Sequence, residues 1–356
     1  MRILIDNFHP ASVHFFKNFI WRMQGRGHQV LVATKDKDVA MKLLDAYGFT
    51  YVKTGKYSKN LLLKGLQMLK IDWDLYRIAR DFKPDILVGQ GAINASHVSK
   101  LIGKPCIVFA DDAYSLFFYR PFADVICTFG SFVKDIGEKQ IRIDSYKELA
   151  YLHPRYFKPD PSVLDSLGLK SDSKFVIIRF VGWQASHDVG RHGFNVSTKQ
   201  QLVKELGKYA RVFISSEKKP PAELEEYKIL LPPEKLHDLL YYATLCVVDG
   251  QTMATESAVL GTPAVRCNSF VSPKDFAGMI EMEKKYDLIY SFRDAAQAIQ
   301  RAVELLKRPG VKQEWAGKRE GFLAEKADIT EFMVDFIENY PASLESYQRE
   351  KESINL

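Results

Sequence analysis

Short β-branched runs alternate with longer amphipathic stretches through most of the chain, and this alternation restricts the fold more than any other feature. Parallel strands need a crossover long enough to hold a helix, so the pattern predicts βαβ units and parallel sheets. Ile3-Leu4-Ile5 is the first strand; a helix over Val13 to Met23 follows, with Phe15, Phe16, Phe19, Ile20 and Met23 on one apolar stripe. The same alternation continues through VLVAT (30–34), a helix at 39–47, a short strand at 50–52, a helix at 60–82, ILVGQG after Lys83-Pro84-Asp85, a helix at 94–102, CIVFADD after Lys104-Pro105, and a strand from Asp124. It restarts with FVIIRF (175–180), VFISS (212–216), LCVVDG (245–250) and PAVRC (263–267), and from Ser291 onward the pattern reads as helical and charged.

A length of 356 residues exceeds one ordinary core and suits two domains. The stretch His153 to Ser173, rich in Pro, Asp and Ser and without a sustained period, reads as the join. The expected organisation is an N-terminal domain over 1–155, a linker over 156–173, a C-terminal domain over 174–327, and a C-terminal helix over 328–356 that crosses back to the first domain. Apolar residues at 46% and charged residues at 26% exclude disordered, collagenous and disulfide-scaffold classes. Fifty Lys and Arg against 44 Asp and Glu leave +6, spread along the chain, so no nucleic-acid partner is expected. Cys106, Cys127, Cys246 and Cys267 lie in or beside apolar runs without a CxxC pair, as expected for reduced thiols in a cytoplasmic protein. The opening MRILID has no signal-peptide form, and the most apolar aromatic stretch is broken by Arg120 and Asp124, so no membrane span is expected.

Ligands of open parallel sheets collect beyond the carboxyl ends of the strands, and five segments there carry candidate chemistry. In DGQTMATESAVLGTPAVRC (249–267), a strand ends in Gly250, Gln251 and Thr252 turn the chain, and a helix carries Thr255 and Glu256. Its N-terminal N–H groups suit a diphosphate and Glu256 a ribose diol; alternatively Glu256 is an acid that favours the helix dipole. In DNFHPASVHFF, His14 lies near a helix start, where the dipole favours the neutral imidazole of a general base, or where it is simply a hydrogen-bonded residue. In GQGAINASHVSKLIGKPCIVFADD, Gly89 and Gly91 permit close approach to a ligand; Asp111 and Asp112 point to opposite sides of an extended chain, so no metal site is expected and Asp112 is read as a helix cap. In RFVGWQASHDVGRHGF, Arg179, Gly182, His187 and Arg191 either neutralise a leaving diphosphate or form a basic loop without a ligand. The basic amphipathic stretch Lys56 to Lys70 either lies on an anionic membrane or packs on the sheet, and the aromatic Leu116 to Pro121 either contacts an acceptor or fills the core.

Together these segments resemble the GT-B glycosyltransferases over nearly the whole chain. The resemblance implies an α/β fold of GT-B type, two Rossmann-like domains with parallel sheets facing across a cleft. In pattern the chain is similar to the N-acetylglucosaminyltransferases that form lipid II. His14 stands at that family's helix histidine, LVGQGAINASHVSKLIGKPCIVFADD at its second turn with Asp112 where Asn is usual, and DGQTMATESAVLGTPA at its donor motif with Glu256 as the ribose acid. His9-Pro10-Ala11-Ser12 replaces the family's Gly-Gly turn, and Phe180-Val181-Gly182-Trp183-Gln184 replaces its Gly-Gly-Ser-Gln-Gly turn. As a whole the sequence is similar to the uncharacterised domain-of-unknown-function family 354. The resemblance implies a metal-independent inverting transferase, with no cofactor, that moves a sugar from a nucleotide-diphosphate donor, expected to be a UDP-sugar, to a glycan or lipid-linked acceptor. Glu256 would hold the ribose, the Gln251 to Thr255 backbone, Thr252 included, the diphosphate, with Gly250 also in contact with substrate, Arg179 or Arg191 would neutralise the leaving group, and His14 would take the acceptor proton. Two alternatives stand beside it. One is a nonhydrolysing UDP-N-acetylglucosamine 2-epimerase, whose Gly-Thr-Arg-Pro-Glu motif is here Asp6-Asn7-Phe8-His9-Pro10; the other is a non-catalytic nucleotide-sugar-binding protein.

Overall fold

The computed structural model describes residues 1–7, 9–55, 61–183, 190–216, 218–273 and 275–354. The chain forms two compact units, one of Met1–Tyr151 with Ala327–Leu356 and the other of Leu152–Lys326.

The first unit contains strands β1 (Arg2–Asn7), β2 (Gln29–Lys35), β3 (Tyr51–Thr54), β4 (Ile86–Gln90), β5 (Cys106–Ala110), β6 (Val125–Phe129) and β7 (Gln140–Ile143). They form one sheet in the order β3-β2-β1-β4-β5-β6-β7, with every pair parallel. Its helices are α1 (Pro10–Gly25), α2 (Asp38–Ala46), α3 (Leu61–Phe82), α4 (Ile93–Ile102), α5 (Leu116–Tyr119) and α6 (Leu149–Leu152, at the boundary), joined from the end of the chain by α14 (Ile329–Glu338) and α15 (Ala342–Ile354). Every residue of β4, β5 and β6 is buried, which is why these strands read as unbroken apolar runs. Phe15 of α1 packs edge-to-face on Phe109 and Phe129, and Phe16 on Phe109. Pro10 opens α1 and His9 caps it, its Nδ1 accepting from Ala11 N at 3.2 Å.

The second unit contains β8 (Phe175–Phe180), β9 (Arg211–Ser216), β10 (Leu245–Val248), β11 (Ala264–Cys267) and β12 (Ile289–Phe292), a parallel sheet in the order β12-β11-β10-β8-β9. Its helices are α7 (Ser162–Asp165), α8 (Val196–Leu206), α9 (Leu236–Tyr242), α10 (Thr252–Val259), α11 (Ala277–Lys284), α12 (Ala295–Lys307) and α13 (Val311–Glu325). Residues 156–173 fold into this unit, with Val163, Leu164 and Leu169 buried. Two strands escape the sequence reading: β7, and β12 in a region read as helical from Ser291. Both are four-residue edge strands, too short to show a period, and in β12 three of the four residues are only half-buried. All four cysteines are free and buried.

Candidate functional sites

Each sheet has one point where the strand order reverses, and ligands of such sheets bind beyond the carboxyl ends at that point. In the first unit it lies between β1 and β4, and in the second between β8 and β10.

At the first point Asp6, one residue before the end of β1, is buried, with its Oδ2 accepting from Ala95 N at 3.2 Å. Burial pushes its carboxyl up and the Lys35 ammonium opposes it; Lys35 donates to Asn94 Oδ1 at 3.1 Å. A Cβ on Gly89 would lie 2.5 Å from Ala92 Cβ and 2.8 Å from Asp6 O, and Gly91 has φ +55°, so both positions of this turn require glycine. Ser12 of α1 donates to Gln90 Oε1 at 2.9 Å, tying the helix to the end of β4. His14 is buried in the second turn of α1, its Nδ1 hydrogen-bonded to Tyr47 Oη at 3.0 Å and its ring stacked on Tyr151 at 5.6 Å. At the end of β5, Asp111 pairs with Lys147. Asp112 is not the helix cap expected of it: its Oδ1 accepts from Tyr114 N at 2.8 Å, closing a local turn ahead of α5, whose own N-cap Ser115 makes no side-chain bond.

In the second unit the reversal point gathers Gly250, Gln251, Thr255 and Glu256 with Arg179 and Gly182. Gln251 is the N-cap of α10, and Thr255 bonds back to the Gln251 carbonyl through its N–H at 3.0 Å and its hydroxyl at 3.3 Å. Glu256 is buried, with Oε1 3.0 Å from Nε2 of buried His237 on α9. Gly250 packs tightly on Val181, a Cβ there falling 2.6 Å from Val181 Cγ1. Arg179 donates to Ser215 Oγ at 2.7 Å, and Gly182 follows in the strand-end turn. Arg191 lies over Phe270, its guanidinium 4.6 Å from the ring centre and donating to Ser269 O at 3.1 Å. His187 and Gln184 lie outside the described residues.

Two residues here have no counterpart in the sequence reading of the site. Asp249, fully buried at the end of β10, accepts from Val181 N at 2.8 Å and Trp183 Nε1 at 3.4 Å, and so joins the ends of β10 and β8. Burial raises its pKa to about 6. The other is His237, a lone histidine in LHDLLYY with no motif around it. Among the described residues no group of three His, Cys, Asp or Glu side chains is arranged to hold a metal ion.

On the first unit, the 56–60 part of the basic amphipathic stretch lies outside the described residues. Beyond it, Leu66, Leu69 and Trp73 occupy one face of α3 at 67%, 63% and 60% exposure. His97 connects α3 to α5, with Nδ1 3.0 Å from Asp72 Oδ2 and Nε2 3.2 Å from Phe118 O, and Phe117 beside it is 83% exposed. No described helix is long and apolar enough to cross a membrane.

The family described as "Protein of unknown function (DUF354)" matches residues 1–342. This chain belongs to that family. An uncharacterised protein of Methanocaldococcus jannaschii, MJ0665, is 23% identical over 351 residues, covering 95% of this chain and 98% of the relative. Among solved structures, an S. aureus MnaA–UDP co-structure superposes on this DUF354 chain with a TM-score of 0.66 at 12% identity, covering 95% of this chain and 96% of that one. Streptomyces sp. SF2575 glycosyltransferase SsfS6, complexed with thymidine diphosphate, gives 0.61 at 14% identity over 94% and 99%. MurG of Acinetobacter baumannii gives 0.58 at 15% identity over 95% and 99%. These likenesses span both units, and the fold of this DUF354 chain is the GT-B glycosyltransferase fold.

Proposed function

We propose that this protein is a metal-independent, inverting glycosyltransferase that uses a UDP-sugar and a glycan or lipid-linked acceptor. The observation that carries this reading is the reversal point of the second sheet, where the small-residue turn at 250–252 leads into α10 and the buried Glu256 is held by His237. The N–H groups of Gly250, Gln251 and Thr252 would meet the diphosphate, Thr255 would brace the turn, and Glu256 would accept from the ribose hydroxyls. Arg179, with Gly182 giving the turn room and Arg191 nearby, would neutralise the diphosphate as it leaves. On the first unit, the Gly89–Gly91 turn and Asp112 would position the acceptor, and His14 would take the proton of its hydroxyl. The acceptor oxygen then bonds to the anomeric carbon from the face opposite the departing diphosphate, which leaves with the electron pair. That geometry inverts the anomeric configuration. The exposed face of α3 and α5, with Lys70, Arg77 and Arg80 on the same α3 helix, would rest on an anionic membrane surface that holds a lipid-linked acceptor.

Calorimetry with UDP, GDP, CDP and ADP, first without and then with magnesium, tests the donor site on the wild type and Glu256→Ala. The expected result is metal-independent UDP binding that weakens in the variant by about 1.5 to 3 kcal/mol, the range for hydrogen bonds to a charged group. No nucleotide binding, or equal binding by the variant, would refute the donor site. Interconversion of UDP-N-acetylglucosamine and UDP-N-acetylmannosamine without an acceptor would instead select the epimerase chemistry.

A further inference from the structure

We propose that the second unit binds a small phosphorylated molecule, of the sugar-phosphate class, at the amino ends of its inner strands, opposite the 250–252 turn. A cavity of about 530 Å³ opens there, bounded by Lys174 ahead of β8, Thr244 ahead of β10, Gly261 ahead of β11 and the first turn of α13. Its volume lies in the range of small-molecule sites. Four cations line it, Lys174, Arg308, Lys312 and Arg319, against a single acid, Asp172.

The two inner cations spend their hydrogen bonds on neutral oxygens, and Glu320, next in the chain, is the acid that acts on Arg319. Lys312 Nζ donates to Thr262 Oγ1 at 2.7 Å, Tyr241 O at 2.8 Å and Gly261 O at 3.4 Å, and Arg319 Nε donates to Val259 O at 2.7 Å. Every one of these acceptors is neutral, and the Thr262 hydroxyl is itself committed as a donor to Leu240 O at 2.8 Å. Arg308, by contrast, pairs with Glu314 at 3.0 Å. Two neighbouring half-buried cations that donate to neutral oxygens are costly in free energy, and an anion bound between them offsets that cost. Burial, and then the charge of Arg319, hold Lys312 down at about 7. The other charged or titratable groups lining the cavity around it are Tyr241 and Tyr242 from α9, Arg308 after α12, and Asp172 and Lys174 ahead of β8.

A dianion matches the two inner cations, with Lys174 at the rim as a third contact. Ser173, Thr244 and the two tyrosines bring hydroxyls to a wall that also holds Leu260, Leu306, Pro309, Val311 and Ala316, which suits the mixed faces of a sugar. Because an anion favours the charged ammonium, binding near pH 8 draws a proton onto Lys312.

Sulfate is the first probe, since it does not titrate near neutrality. The test is titration calorimetry on the whole protein at pH 8 and constant ionic strength, in buffers of different ionisation enthalpy. Saturable binding with uptake of up to about one proton is expected. It should weaken roughly ten- to a hundredfold in Lys312→Gln and Arg319→Gln and be unchanged in Lys208→Gln, an exposed lysine outside the cavity. Lys174→Gln, at an exposed rim position, weakens binding in the same direction and decides the matter if the inner variants do not fold. Absent binding, binding that ignores Lys174 and Arg319, or binding without proton uptake would each overturn the site. Glucose 6-phosphate should then displace sulfate and bind more tightly; failure to displace it would overturn the sugar-phosphate class.

Discussion

Asp249 shows how a single side chain can organise a strand-end site while itself titrating near neutral pH. Its carboxylate joins two strands through bonds to Val181 and Trp183, and a Cβ on Gly193 would fall 2.3 Å from Asp249 Cβ. Burial raises the carboxyl from 3.8 to about 6, so between those values the native state holds more protons than the unfolded chain. The part of the second unit's stability that Asp249 contributes should therefore fall by about 1 to 3 kcal/mol as pH rises from 4 to 7, and level off above that. In Asp249→Asn the fall should be absent in denaturant titrations at pH 4, 5.5 and 7; an unchanged slope would contradict the burial of a titrating carboxyl there. At this scale the sequence reading located Glu256 and the 250–252 turn because their neighbours are adjacent in the chain. His237 and Asp249 stayed invisible as partners, since each meets its contact 19 or 68 residues away and nothing local records that meeting.

The inner strands were legible because they are buried, while at the edges the four-residue β3 was legible and the four-residue β7 and β12 were not. The central strands β4, β5, β6, β8 and β10 stand out because both faces are covered, whereas β7 and β12 lie at edges where four residues carry no period. α3 is the element whose sequence left two readings open, and its exposed Leu66, Leu69 and Trp73 favour a surface role over packing for that face. Co-sedimentation with vesicles containing phosphatidylglycerol should show binding that weakens about tenfold or more when Leu69 and Trp73 are both changed to Asp. Equal binding by that variant would remove the membrane from the proposal.

At the scale of the whole molecule, the end of the chain completes the first unit. Ile329, Met333, Val334 and Ile337 of α14 are buried, Arg22 of α1 grips Glu331 through two bonds of 2.6 and 2.9 Å, and Asn18 and Thr330 share the Ala150 carbonyl. Met333→Ala should destabilise this unit by about 2 to 5 kcal/mol, the range for a large-to-small change in a packed core. Thermal melting that separates the two units should show the loss in one transition, and a variant that melts like the wild type would mean that α14 is peripheral. Hydrophobic periodicity, a local property, was enough for the sequence alone to determine the α/β class, the parallel sheets and the strand-end turns. Tertiary structure decided what periodicity does not encode: which strands become edges, which buried acid meets which histidine, and where two cations converge on neutral oxygens. Those are contacts between distant segments, set by how the packed layers close on one another.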